Sequence, residues 1–268
     1  MSFFKQVIKS FSAAFSVYSK IPMPHFKLES EDMKYHLCFF PFVGAVIAGV
    51  EILWLLFCSK YLTDSFIFEA VAISVPVLIT GGFHVDGFMD TMDAIHSYAD
   101  RNKRLEILKD PHVGAFAVIS VILLFLLSLG FVGVIDKKAL LYVFPPAFII
   151  SRILSGLSVL LFPKAKKDGM LYSESLTKST WPVSFVLIIE LIFIVATCFF
   201  VALKYCLLYY CVAQLCAVIF SFFYYYFMGK KIFGGITGDI AGFFVCIMEF
   251  LSLFSLAFVS IILRVLGA

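Results

Sequence analysis

Seven stretches of the chain are apolar almost without interruption, at 37–59, 66–83, 113–135, 139–162, 182–203, 205–228 and 241–263. Each approaches or exceeds the roughly 20 residues that an α-helix, rising about 1.5 Å per residue, needs to cross a bilayer. The pattern predicts an all-α fold: a polytopic integral membrane helical bundle of about seven transmembrane helices over 37–263. The run at 66–83 is the shortest, which makes six and eight the neighbouring counts. Ahead of these runs, Phe4, Val7, Ile8, Phe11, Phe15 and Tyr18 recur at helical spacing with Lys5 and Lys9 off their stripe. That arrangement predicts an N-terminal amphipathic helix lying in the membrane interface. Ile21-Pro22-Met23-Pro24 then ends it, because proline removes a backbone donor and restricts the residue before it. Residues 1–24 thus read as interfacial helix and turn, and 1–268 as one membrane domain without repeats or an appended soluble unit.

Composition agrees with the pattern. Hydrophobic residues make up 62%, mean hydropathy is +1.02 and 15% are charged, where a soluble domain carries about 25% charged residues. A net charge of +3 from scattered residues gives no nucleic-acid footprint and no polybasic tail. The seven cysteines form no CxxC pair and lie in or beside apolar runs, so they read as small packing residues. No charged-then-apolar opening with a small-residue cleavage site is seen, and the first span is expected to direct insertion.

Charge also orients the bundle. Segments 1–36, 84–112, 163–181 and 229–240 hold fifteen Lys and Arg, against five on the opposite side. The positive-inside bias predicts a cytoplasmic N-terminus and a C-terminus outside. The same segments carry nearly all the polar motifs, which predicts a one-sided, cytoplasmic active site.

The most informative of these motifs is Gly81-Gly82-Phe83-His84-Val85-Asp86-Gly87-Phe88-Met89-Asp90-Thr91-Met92-Asp93. On a helix, Asp86, Asp90 and Asp93 share one face. Like charges so placed repel, more strongly at a membrane surface, and call for a cation among them. Hard oxygen donors without a thiolate favour Mg²⁺, with Mn²⁺ as a substitute, and such ions share their coordination with substrate phosphates. Phosphoryl-transfer chemistry follows, although an exposed acidic helix face needs no ligand. Arg101, Lys103 and Arg104 come next and read as positive-inside topology; Lys109 and Asp110, nearer the third run, are better candidates for a phosphate. A second cluster, Gly234-Gly235-Ile236-Thr237-Gly238-Asp239, opens the last run, where glycines let backbone N–H groups approach an anion at a helix start. Within the runs, Arg152 and Glu249 are expected to face the bundle interior, because leaving them in lipid costs about 2.5–3.5 kcal/mol each.

The chain resembles the cobalamin synthase family, the adenosylcobinamide-GDP ribazoletransferases. The match is carried by Phe15 through Pro22 with Phe40-Pro41-Phe42-Val43-Gly44, Gly81 through Asp93, Ser151-Arg152 with Pro163 through Gly169, and Gly235 through Asp239 with Gly242 and Glu249. Departures are Ala94 for a usual glycine, Pro111-His112 for Ser-Arg and Lys20 for arginine. The resemblance implies that adenosylcobinamide-GDP is joined to α-ribazole or its 5′-phosphate, giving adenosylcobalamin or its phosphate and GMP. It implies Asp86, Asp90 and Asp93 as ligands of Mg²⁺, and His84 as base or support. Asp239 is the competing base or ligand, and Lys109, Asp110, Arg152, Lys166, Lys167, Thr237 and Gly238 are substrate contacts. Partners would be these substrates and the lipid bilayer, with a homo-oligomer or a complex with other B12-assembly enzymes compatible with it. Two rivals share some features. A CDP-alcohol phosphotransferase would require an Asp-Gly-x-x-Ala-Arg continuation absent here, and a cation-coupled transporter would spread ionisable residues over both sides.

Overall fold

The computed structural model describes residues 3–24, 32–61, 66–165 and 180–267. The helices are α1 (Phe3–Tyr18), α2 (Phe40–Tyr61), α3 (Phe66–Thr80), α4 (Phe83–His96), α5 (Arg101–Ile107), α6 (Ala115–Val134), α7 (Lys137–Tyr142), α8 (Pro146–Leu161), α9 (Thr180–Lys204), α10 (Leu208–Met228) and α11 (Gly238–Leu266). A 3-10 turn, Asp32–Phe39, leads into α2, and a π turn, Gly229–Phe233, follows α10. Among the described residues there is no strand, only an isolated bridge between Lys164 and Ile236.

All seven apolar runs become helical, yet five helices are long and apolar enough to cross a bilayer, or six if a bent pair is one span. Two local breaks account for the difference from seven. The run 139–162 contains Pro145-Pro146, whose missing donors interrupt the helical ladder. It therefore divides into α7 and the 16-residue α8, which starts with Pro146. The run 66–83 stops at Thr80, because Gly81 (φ 65°) and Gly82 (φ 81°) adopt the left-handed conformation that glycine tolerates and other residues rarely do. At that elbow α4 departs at 95° to α3.

Helix α11 is the hub, packed against α4, α6, α8 and α10, while α2 packs against α8 and α3, and α9 against α8 and α10. The α2–α8 crossing is close: a Cβ on Gly44 would overlap the backbone carbonyl of Phe148. Helix α1 docks on the 3-10 turn and α2, burying Ser10, Ser12, Ala13, Ala14 and Phe15 while leaving Ile8 exposed. The expected apolar stripe of α1 is thus shared between protein and surroundings. Outward faces of α6, α9 and α10 present Leu126, Phe193, Phe200 and Phe220, the pattern of helices in contact with lipid. The cysteines are free, and Cys58, Cys198, Cys211 and Cys246 are buried, in keeping with a packing role.

Candidate active site

Helix α4 lies across the N-terminal ends of α6 and α11. It is two-faced by sequence. His84, Gly87, Phe88, Thr91 and Ala94 are buried, whereas Asp86 is exposed and Asp90 and Asp93 are half-buried. At 3.6 residues per turn the aspartates fall roughly opposite His84.

Two glycines set how α4 meets α11. A Cβ on Gly87 would stand 2.7 Å from the Asp239 carbonyl oxygen and 2.9 Å from its Cα, and one on Gly242 would stand 3.2 Å from the His84 carbonyl oxygen. Phe88 stacks on Phe243 beside this contact, with ring centroids 5.7 Å apart. The absence of side chains thus lets the Thr237-Gly238-Asp239 turn press against α4. Thr237 caps α11, its Oγ1 accepting from the Ile240 N–H at 3.3 Å and donating to Asp239 Oδ2 at 3.4 Å; Gly238 is the first residue of the helix.

The acidic residues brought together here repel. Burial, followed by the charges of Asp86, Asp239 and Asp93, pushes the Asp90 carboxyl up to about 6, and each named neighbour acts in that direction. Asp93, however, is engaged elsewhere. Its carboxylate accepts from the N–H groups of Gly114 at 2.6 Å and Ala117 at 2.8 Å, satisfying donors at the start of α6 that no helix can satisfy internally. Asp86 and Asp90 remain beside it on the outer face of α4, with Asp239 on the turn that meets them. Among the described residues no group of three His, Cys, Asp or Glu is close enough to form a complete metal cage. Mg²⁺ commonly takes one or two protein carboxylates and completes its shell with water and substrate phosphate, so an acidic face with crowded like charges fits that ion without a cage.

On the other side of α4 lies a cavity of about 80 Å³. His84, Glu51, Thr80, Arg152 and Glu249 line it together with apolar side chains of α3, α6 and α11. His84 is held between Phe40 and Phe83, with centroids at 5.8 and 5.5 Å, and neither ring nitrogen has a hydrogen-bond partner among the described residues. Burial, then the Arg152 charge, keeps this imidazole neutral, well below the usual histidine range. Arg152 is buried on α8 and pairs with Glu249 of α11; it also donates to the Phe148 carbonyl at 3.1 Å and to Ser151 Oγ at 2.9 Å. Both ionisable residues therefore face the interior, as the sequence predicts, but Arg152 binds protein groups inside the bundle.

Lys109 and Asp110 follow α5 in exposed positions. Asp110 accepts from the His112 N–H at 3.0 Å and its Nδ1 at 2.6 Å, contacts that hold its carboxyl below the usual carboxylate range. Lys166 and Lys167 lie outside the described residues. The Gly234-Gly235 turn is knitted to the end of α8: Ala165 donates to the Ile236 carbonyl at 3.0 Å and Ile236 to that of Pro163 at 2.9 Å. A Cβ on Gly235 would meet the Pro163 carbonyl oxygen at 2.6 Å, so this glycine serves chain packing. Arg101, which the sequence assigns to membrane topology, instead reaches this turn: its Nη2 donates to the Ala165 carbonyl at 3.2 Å. The signal present in the sequence was the i, i+3 spacing of Arg101 and Arg104 after the cap Asp100.

Fold and site together define a multi-pass α-helical membrane protein that gathers Asp86, Asp90, Asp93 and Asp239 on one side of the bundle. Residues 10–257 match the cobalamin-5-phosphate synthase family, and the chain belongs to that family. It is 38% identical over 245 residues to the adenosylcobinamide-GDP ribazoletransferase of Lachnoclostridium phytofermentans, covering 91% of this chain and 92% of the relative. The protein of the same name from Clostridium perfringens (strain ATCC 13124) is 32% identical over 247 residues, 90% and 94% of the two chains. That from Listeria monocytogenes is 31% identical over 232 residues, 84% and 88%. No solved structure matches the chain.

Proposed function

We propose that this chain is an adenosylcobinamide-GDP ribazoletransferase, joining that donor to α-ribazole or its 5′-phosphate and releasing GMP. The observation that carries the reading, beside family membership, is the meeting of the Asp86–Asp90 face with the Asp239 turn through Gly87 and Gly242. In the reaction a ribose hydroxyl oxygen attacks the cobinamide-linked phosphorus, the bond from that phosphorus to the GMP oxygen breaks, and the hydroxyl proton is taken up. Asp239 is the favoured base, because it lies beside the acidic face whereas His84 points into the cavity behind it. Asp86 and Asp90 would hold Mg²⁺, for which Mn²⁺ can substitute, and the ion would neutralise charge on the diphosphate. Asp93 supports the site by fixing the start of α6 against α4, and Arg152 supports it from beneath through Glu249.

The excess of Lys and Arg on the site's side of the bundle supports a cytoplasmic active site and a cytoplasmic N-terminus. The test is turnover by purified protein in liposomes, supplied with adenosylcobinamide-GDP and α-ribazole 5′-phosphate, with GMP and cobalamin phosphate followed in Mg²⁺ or in chelator. Magnesium-dependent product that disappears in Asp90→Asn is expected. Failure of correctly folded protein to make product from authentic substrates rejects the reading.

A further inference from the structure

Two guanidinium groups on the short helix that packs beside α4 take no part in the reaction proposed above. Arg101 and Arg104 are three residues apart on α5, so they share a face. The short helix packs against α4 and the π turn that precedes Gly234. Arg101's guanidinium occupies the space where a Gly234 side chain would be, since a Cβ there would overlap it, and Gly234 adopts a φ of 75°. Its single described hydrogen bond, to the Ala165 carbonyl, leaves most of a five-donor fork available. Arg104 Nε is buried without a hydrogen-bond partner among the described residues. The other charged pair of this helix, Lys103 with Glu106 at 3.0 Å, is exposed to solvent. Arg101 thus rests on the same turn that carries Asp239, while the charges acting on Asp90 are all carboxylates.

This separation of charge has a direction. A diphosphate has one phosphorus that is attacked and one that departs, and negative charge grows on the departing group as the bond breaks. The attacked phosphate belongs at the acidic face with its cation, and the departing phosphate belongs where a planar cationic fork can take two of its oxygens. We infer that Arg101, assisted by Arg104, forms the binding site for the phosphate of the leaving guanosine nucleotide. This rests on the ribazoletransferase reading and assigns the two ends of its donor.

Equilibrium binding of GMP, guanosine and α-ribazole 5′-phosphate to the full chain in lipid nanodiscs separates the alternatives without turnover. The unsubstituted protein should bind GMP more tightly than guanosine. Arg101→Gln and Arg104→Gln should each weaken GMP at least about tenfold, as for loss of a charge-assisted contact, and leave guanosine and α-ribazole 5′-phosphate unchanged. Arg101→Lys should fall between, and Gly234→Ala should reproduce the GMP defect by displacing the guanidinium. Unaltered GMP binding in both glutamine variants overturns the inference, as does a selective loss of α-ribazole 5′-phosphate, which would place the acceptor there. If the unsubstituted protein binds neither nucleotide while folded, the transferase reading itself fails.

Discussion

Replacing Asp90 with Asn tests the electrostatics of the acidic face in the absence of any substrate. In the folded chain this carboxyl is pushed from 3.8 up to about 6 by burial and three neighbouring carboxylates. That rise from 3.8 to about 6 corresponds to about 3 kcal/mol. The group is only half-buried, so solvent screening reduces that to about 1 kcal/mol. The sign follows from the raised value: the carboxyl's stabilising contribution is complete below pH 4 and is lost as pH rises through about 6. Without divalent metal at pH 7.5, Asp90→Asn should therefore be more stable than the unsubstituted protein, by about 2–4 °C in melting temperature for a chain of this size. The advantage should vanish near pH 4. Mg²⁺ should then raise the melting temperature of the unsubstituted protein more than that of the variant, because binding to the native state adds RT ln(1 + [L]/Kd). Thermal unfolding in detergent, scanned over pH in chelator and in Mg²⁺, measures all three. Equal stability at pH 7.5, or an equal response to Mg²⁺, refutes the argument that like-charge crowding at Asp90 draws in a cation.

Asp93→Ala should cost about 1–2 kcal/mol through loss of the α6 cap while leaving the Mg²⁺ concentration for half-maximal turnover unchanged; a large rise in that concentration would make Asp93 a ligand instead. Gly87→Ala should drive α4 away from the Asp239 backbone, lowering kcat by about a hundredfold in protein that still elutes as a folded species, and normal turnover would show that this close approach does not set the site. Arg152→Ala should leave Glu249 without its buried partner and cost about 3–5 kcal/mol, seen as loss of folded protein on size exclusion, with Glu249→Gln in the same chain recovering part of it. His84→Phe should retain measurable turnover because the ring faces the cavity, whereas Asp239→Asn should reduce turnover by about a hundredfold or more; the reverse order would make His84 the base.

The fold was largely legible because lipid demands long apolar runs, and each of the seven runs became helical. Pro145-Pro146 announced the break between α7 and α8, a local signal that the length of the surrounding run obscured. Gly81-Gly82 announced an end to α3, but the 95° elbow depends on two left-handed backbone angles that composition does not specify. In the site, the shared face of Asp86 and Asp90 and the approach of Asp239 are consistent with helical spacing and with the two glycine-bearing motifs. The same spacing already put His84 on the opposite face. Engagement of Asp93 depends on residues 97–113 returning the chain to α4, and the placement of Arg101 depends on three distant segments meeting at Ala165 and Gly234. Such contacts arise from tertiary closure, to which a periodic pattern is blind.

The elbow after Thr80 also fixes a depth. Helix α3 has 15 residues and α8 has 16, so each rises only about 22–24 Å, short of the roughly 30 Å of a hydrocarbon core. Both end on the side that carries α4. A bilayer matched to these short walls would thin or wet locally, which would bring the acidic face down to the level of the lipid headgroups. Membrane thickness thereby joins the variables that govern substrate access: lipids with shorter chains match the recessed floor, and longer ones raise a rim around it.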